Sequence, residues 1–442
     1  MSSTYLLERA LLPDGVHDHV VVTVEDGRFT RVTPGGAGDG VRGDTTGAER
    51  LAGLAVPGLA NTHSHAFHRA LRGRTQRERG TFWTWREQMY DVAGRLDPDS
   101  YHALARATYR EMAAAGMTTV GEFHYLHHGP DGTAYSDPNA MSRALIEAAG
   151  EAGIRIALLD TCYLSSGFGA PPEGVQVRYD DGSADGWAAR VDALGPQPDG
   201  VVVGAAIHSV RAVPADQLGT VAAWAGGAAP LHVHLSEQRA ENDACLAHHG
   251  VTPTRLLADH GVLGSMTTAV HATHLTDEDI ALLGESRTVA GFCPTTERDL
   301  GDGVGPSRRL HEAGSPISLG SDSHAVVDPF EEMRALETDE RLATEQRGHW
   351  TAEELVRAAT RHDTLGFPEA GRIEPGARAD LVLLDPASPR TAGTGADAHT
   401  AAFAATAADV TLTMVDGRVV FRSGDREEVG RELDRAIGRL WT

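Results

Sequence analysis

Eight short apolar runs, each closing on polar residues, set the strongest limit on how this 442-residue chain can fold. They are LAVPGLANTHSH, TTVGEFHYLH, RIALLDTCYL, VVVGAAIHSV, APLHVHLSE, MTTAVHATH, TVAGFCPTT and PISLGSDSH. Stretches between them, such as DSYHALARATYREMAAAG and DPNAMSRALIEAAGEAG, carry apolar residues at helical spacing and stop at glycine. Strands alternating with helices build a parallel sheet, and eight of them over roughly 300 residues favour closure into an α/β barrel of the (β/α)8 type. An open doubly wound sheet is the alternative, but no GxGxxG follows the first run.

The two ends of the chain read differently. VVVTVEDGRFTRV is a pair of β-rich runs joined at Asp26-Gly27, a hairpin signal. ADLVLLD and VTLTMVDGRVVF return to that pattern near the C-terminus, with a turn at Asp416-Gly417. Hairpins at both ends suit a small antiparallel domain assembled from the termini, residues 1–55 and 374–442, around a barrel at 56–373. The glycine-rich TPGGAGDGVRGDTTGAE reads as a loop, and DREEVGRELDRAIGRLW as a short amphipathic helix.

Composition narrows the chemistry. The formal net charge is −23, from 39 basic and 62 acidic side chains, which disfavours nucleic acid and a basic membrane-surface role. A small anionic substrate stays compatible, because a few local arginines would meet it. The chain contains no lysine, so Schiff-base chemistry, pyridoxal phosphate attachment and a Walker-type phosphate lysine are excluded. Cys162, Cys245 and Cys293 are isolated and form no CxxC pair, which points to a reducing cytoplasm. The first residues lack a signal-peptide pattern and no apolar run approaches a membrane span, so a soluble protein is expected.

In a barrel, the polar ends HSH, HSVR, HLSE, HATH and SDSH gather at the C-terminal rim, where active-site residues collect. Residues i and i+2 on a strand face the same way, so His63 and His65 can reach one ion. HxH alone is weak: His17 and His19 in GVHDHV share the spacing and read as solvated residues of a polar turn. The company of His63 and His65 is what matters. His234 in HVHLSEQ adds a third imidazole and Asp322 in GSDSH a carboxylate oxygen. Three nitrogens and one oxygen suit a single zinc ion, with iron an acceptable substitute and a position left for water. His232, one pleat deeper, is the competing ligand; His234 is favoured because Glu237 follows it in the turn.

A divalent ion lowers the pKa of bound water from 15.7 to about 7. Hydrolysis then needs a group to carry the proton to the leaving nitrogen, and Glu237 is the candidate, a surface ion pair being its plain alternative. His271 in VHATH would hydrogen-bond the hydroxide or the developing oxyanion, while His274 faces outward. Asp322 can also accept a proton. Cys293 has no base assigned to it and reads as core.

NTHSHAFHRALRG, FWTWREQMY, GEFHYLHH, IHSVRAV, CPTTERDLGDG and GSDSH together resemble the amidohydrolase superfamily over nearly the whole chain. Within it they most resemble the N-formimino-L-glutamate deiminases. The resemblance implies a distorted barrel with a small β-sandwich domain from both termini. The absence of lysine rules out the two-metal branch, which needs a carbamylated one, and leaves the one-metal branch. It also implies that Arg211, His208 and Tyr125 bind substrate carboxylates, with Arg86 contributing from this chain or from a neighbouring subunit of a homodimer. Guanidinium matches carboxylate in a bidentate fork, which suits a dicarboxylate. The plainer readings are an acidic neighbour for Arg211 and a simple amphipathic helix for TFWTWREQMYD. His68 stands where the family has glutamine; its ring can still donate a hydrogen bond to substrate, more strongly when protonated.

The expected activity is metal-dependent hydrolysis of the formimino group, giving N-formyl-L-glutamate and ammonia. The runner-up is a mononuclear deaminase acting on a nucleobase such as guanine or cytosine. A non-catalytic scaffold would have little reason to keep Glu237 and Asp322 beside an intact metal set.

Overall fold

The computed structural model describes residues 2–35, 45, 47–76 and 79–441. Most of the glycine-rich stretch expected as a loop at 33–49 lies outside the described residues. Four strands open the chain: β1 (Ser2–Leu12), β2 (Gly15–Glu25), β3 (Arg28–Thr33) and β4 (Glu49–Pro57). Eight more form the barrel: β5 (Leu59–Ser64), β6 (Met117–His124), β7 (Arg155–Cys162), β8 (Val201–Ile207), β9 (Leu231–Leu235), β10 (Thr267–His271), β11 (Val289–Phe292) and β12 (Ile317–Leu319). Each pairs in parallel with its neighbours in chain order. β6 and β7 are buried along their whole length, as strands covered on both faces must be.

The seam between β12 and β5 closes differently from the rest. Thr62 Oγ1 donates to the Leu319 carbonyl at 2.9 Å and bonds Ser318 Oγ at 3.0 Å. Farther up, the amides of Ser321 and Asp322 both donate to the His63 carbonyl, at 3.1 and 3.0 Å. The distortion therefore falls between His63 and Asp322, and it draws the two strand ends together.

Local signals set the helices. Asp97 caps Pro98–Ala114 by accepting from the Ser100 amide at 2.8 Å, with proline in the first turn. Ala140–Ala152 stops at Gly153, whose φ of +82° costs a glycine nothing. Phe82–Arg95, the TFWTWREQMYD stretch, is indeed a helix, capped by Thr81.

The terminal strands are completed by β13 (Leu381–Leu384), β14 (Val410–Val415) and β15 (Arg418–Arg422). Together they form one mixed seven-stranded sheet in the order β15-β14-β13-β4-β1-β2-β3, with β1 parallel to β4. Strand alternation divides its two faces. Leu381 and Leu383 join Leu7, Val22 and Phe29 in the sheet's own core, while Val382 and Leu384 pack into the barrel core. His17 and His19 lie within β2, not in a turn as their polar context suggests. His17 bonds Asp14 at 2.8 Å. The C-terminal helix Arg426–Leu440 lays Val429 and Leu433 against Ala107. Among the described residues no helix is long and apolar enough to cross a membrane.

A buried ion pair rivets sheet to barrel. Arg155 at the start of β7 bonds both oxygens of Asp380 and reaches Asp416 Oδ1 at 3.1 Å, with Arg155 and Asp380 almost wholly buried. Removing one partner strands the other charge, which costs about 3–5 kcal/mol. Asp380→Asn is therefore expected to lower the thermal midpoint clearly, and an unchanged melting curve would refute that role.

Candidate active site

The polar strand ends meet at one mouth. His63 and His65 come from the end of β5, His234 from β9, His271 from the end of β10, and Asp322 from just beyond β12. His63 Nε2 lies 3.1 Å from His234 Nε2 and 3.4 Å from Asp322 Oδ1. His65 Nε2 is 3.3 Å from the same oxygen. A tetrahedral ion with ligand bonds of 2.0–2.1 Å separates its ligand atoms by about 3.3 Å, so this spacing fits.

Ring orientation and protonation fit as well. His65 Nδ1 bonds the Phe123 carbonyl and His234 Nδ1 the His208 carbonyl, each at 2.9 Å, so each Nε2 turns its lone pair inward. Burial holds His63, His65 and His234 below the usual histidine range, His65 down to about 3. Burial opposes the charge on Asp322, but its hydrogen bond with His63 and the positive charge of His271 hold its pKa far below the carboxylate range. Neutral imidazoles around an ionised carboxylate are the forms that bind a metal. His271 joins His63, His234 and Asp322 within 4.8 Å, and His65, His68 and Asp322 form an overlapping group. His232, buried one pleat deeper, belongs to neither group, so of the pair it is His234 that reaches the cluster.

Backbone strain concentrates here. Ser236, His271, Ala272, Asp322 and His324 all have positive φ, between +35° and +70°. Each such residue costs on the order of 1–3 kcal/mol, tolerated where the surrounding packing holds the side chain in place. Glu122, missed in the sequence, straps the HxH end: its carboxyl accepts from Ala66 N at 2.6 Å and Ser64 Oγ at 2.7 Å. Burial pushes that carboxyl up to about 8.

Glu237 Oε1 sits 3.8 Å from His271 Nε2, which is also 3.8 Å from Asp322 Oδ2. Burial pushes Glu237 up to about 7 against the pull of the His271 charge. Burial works against a charged His271, yet Glu237, Glu297 and Asp322 raise it to about 10. Glu297 is a second residue missed in the sequence: its Oε1 lies 3.4 Å from His271 Nδ1 and accepts from Cys293 N at 2.9 Å. Only its place in the polar CPTTERD stretch hinted at it.

The cavity beside this cluster is lined by His68, Arg86, Tyr125, His208 and Arg211, together with Glu237 and His271. Arg211 has the acidic neighbour that its plainer reading asks for, Glu241 at 3.3 Å, and still keeps a buried Nη1 without a partner. Arg86 reaches the cavity of its own chain, bonding Tyr90 OH at 2.7 Å. Gln176 bonds Tyr90 OH at 3.0 Å and Tyr163 OH at 2.7 Å; Tyr90, Tyr163, Tyr179 and Glu241 also line the cavity and were not singled out in the sequence. His68 Nε2 lies 3.1 Å from Tyr125 OH, and burial lowers its pKa well below the usual histidine range, which favours the neutral ring, still able to donate one hydrogen bond. His274 is half-buried and does not line the cavity. Burial, then Asp322 and Glu297, push the Cys293 thiol far up, which disfavours the thiolate.

His124, His127 and Asp160 form another close group. Both Asp160 oxygens are taken by Arg190, with Trp187 and Ser142 adding bonds, and the guanidinium beside them repels a cation. That group is structural.

A parallel eight-stranded barrel with imidazoles and a carboxylate at its C-terminal rim defines a metal-dependent hydrolase. Residues 54–420 match the amidohydrolase family, and the chain belongs to that family. It is a hydrolase acting on C–N bonds. Over 99% of both chains it is 36% identical to a formimidoylglutamate deiminase of Pseudomonas aeruginosa. It is 30% identical, over 90% of both chains, to a 5-methylthioadenosine/S-adenosylhomocysteine deaminase of Natronomonas pharaonis. Among solved structures, an amidohydrolase from Brucella melitensis superposes over the full length of both chains with a TM-score of 0.87 at 32% identity. An adenosine deaminase from Xanthomonas campestris with bound zinc shares the fold, with a TM-score of 0.84 at 20% identity over 99% of this chain and 98% of that one.

Proposed function

We propose that this chain hydrolyses N-formimino-L-glutamate to N-formyl-L-glutamate and ammonia, with His63, His65, His234 and Asp322 holding one divalent ion, zinc or iron. The carrying observation is the unpartnered, buried Arg211 Nη1 in the same cavity as Glu237 and His271, since a free guanidinium donor calls for a carboxylate. The 36% identity with the Pseudomonas aeruginosa deiminase supports that choice.

The bound ion would supply an acidified water. Arg211, His208, Tyr125, Arg86 and His68 would hold the substrate carboxylates and turn the amidine carbon toward the rim. Glu237 takes a proton from the attacking water and delivers it to the terminal imino nitrogen, then passes the remaining hydroxyl proton to the same nitrogen as its bond to carbon breaks and ammonia leaves. His271 donates from Nε2 to the oxygen that becomes the formyl carbonyl, and Glu297 keeps the ring turned that way. Water adds and ammonia leaves, so the balance closes without another reactant.

A second reading rests on the 30% identity with a methylthioadenosine/S-adenosylhomocysteine deaminase, which broadens the runner-up from nucleobases to purine nucleosides. Tyrosines would be its stacking surface. Tyr125 and Tyr163 both pack edge-on against Tyr179, with centroids 5.0 and 5.2 Å away, and the arginines fit a ring poorly. The decisive assay is ammonia release by zinc-loaded protein from N-formimino-L-glutamate, N-formimino-L-aspartate, guanine, cytosine and methylthioadenosine. Preference for a ring substrate moves the assignment to the second reading. We further expect a cytoplasmic homodimer; a single-chain mass in light scattering would remove any cross-subunit role for Arg86.

Arg211→Lys would keep the charge and lose the fork. Charged hydrogen bonds contribute about 1.5–3 kcal/mol, so kcat/KM is expected to fall by about 10- to 100-fold, mainly through KM, with metal content unchanged. A wild-type KM would remove Arg211 from carboxylate binding.

A further inference from the structure

We propose that the chain carries a second, anion-binding site on the N-terminal face of the barrel, formed by Arg287, Ser315, Trp350, Arg357 and Arg361. A cavity of about 350 Å³ lies there, far along the strands from the catalytic mouth. Arg287 precedes β11 and Ser315 precedes β12, while Arg357 and Arg361 lie one turn apart on and just after the helix Ala352–Ala359. The site is independent of the reaction proposed above.

The donors at this cavity are under-used. The Ser315 hydroxyl belongs to a residue only 1% exposed and has no hydrogen-bond partner. Arg361 Nη2 bonds Asp363 at 2.9 Å, but its buried Nε has no partner. Among the described residues the guanidinium groups of Arg287 and Arg357 make no ion pair or hydrogen bond. The carboxylate in the wall, Glu354, is already occupied by Arg308 at 3.4 Å and by the Thr351 amide at 2.9 Å. The unpaired groups are therefore positive in a chain of net charge −23. His311, in the same wall, senses this: burial, then Arg308 and Arg357, hold its pKa down while Glu354 pulls the other way.

The remaining wall sets the ligand's shape. Pro316, Ile317, Ala358 and the buried Trp350 add apolar surface to the lining. Guanidinium groups and a hydroxyl beside apolar side chains in one cavity fit a small oxyanion on an apolar body. A carboxylate and a phosphate share the charged part, but only an organic acid uses the wall.

Isothermal titration of the metal-loaded protein with benzoate and with inorganic phosphate tests this. Because the catalytic cavity also takes carboxylates, each titration is repeated in Arg211→Ala and in the double variant Arg287→Ala/Arg357→Ala. Both double-variant positions are exposed, so its turnover and ligand-free melting temperature should match those of the wild type. We expect saturable benzoate binding that survives Arg211→Ala and weakens at least about tenfold in the double variant, with phosphate binding less tightly. Benzoate binding that vanishes in Arg211→Ala, stays unchanged in the double variant, or never saturates would overturn the site. Tighter phosphate than benzoate binding would overturn the assigned ligand class.

Discussion

Glu237→Gln is expected to retain a full complement of metal and lose about 10²- to 10⁴-fold in kcat, the range that positioned proton transfer contributes. Glutamine keeps the shape and one hydrogen-bond acceptor but cannot carry a proton between water and nitrogen. Metal retention follows from position, because Glu237 faces His271 at 3.8 Å and lies outside the close groups of His63, His65, His234 and Asp322. Stability should not suffer either: burial, more than any neighbour, pushes the carboxyl up to about 7, so a neutral side chain suits that position. Metal analysis, a melting curve and turnover on one preparation separate these statements. An active, metal-loaded variant would exclude the proton shuttle.

His234→Ala is expected to have the opposite signature, losing metal and activity together. Among the described residues its ring is the only one from β9 in the close cluster, its Nε2 lying 3.1 Å from that of His63. Changing even an outer residue behind a metal ligand costs about 10- to 100-fold in affinity, so deleting the ligand should cost at least about 100-fold. Competition with a chelator reads this directly, apart from turnover. The matching His232→Ala variant should keep its metal, since that ring lies outside the two metal-capable groups at the mouth. If His232→Ala loses the ion and His234→Ala keeps it, the ligand assignment on β9 is reversed.

Much of the architecture was legible because burial leaves periodic marks. Strands covered on both faces must be apolar throughout, and their polar ends must lie on the rim, so HSH, HLSE and SDSH could be placed before any coordinates. The absence of lysine removed whole classes of chemistry without a structure. The hairpin signal at Asp26-Gly27 located β2 and β3, but β1 and the first half of β2 went unread because polar residues interrupt them. For the same reason His17 and His19 looked like turn residues.

The site divides along a similar line. Metal-capable residues cluster within a few positions of each strand end, so their spacing exposed them. Tyr90 and Glu241 face the cavity from helices and Tyr163 from just past β7, while Gln176 and Glu297 act from behind through hydrogen bonds that nothing local announces. Glu122 looks like any polar residue in a strand until Ser64 and Ala66 are seen bonding to it.

The order of residues alone therefore determined the barrel, the rim and the kinds of atoms available there, because apolar periodicity and strand alternation are local properties of a chain. Folding decided what those atoms are worth: which imidazole nitrogens turn inward, which carboxyls stay charged, and which arginine keeps a free edge. Those depend on desolvation and on neighbours hundreds of residues away, and both come into being only when β12 closes on β5.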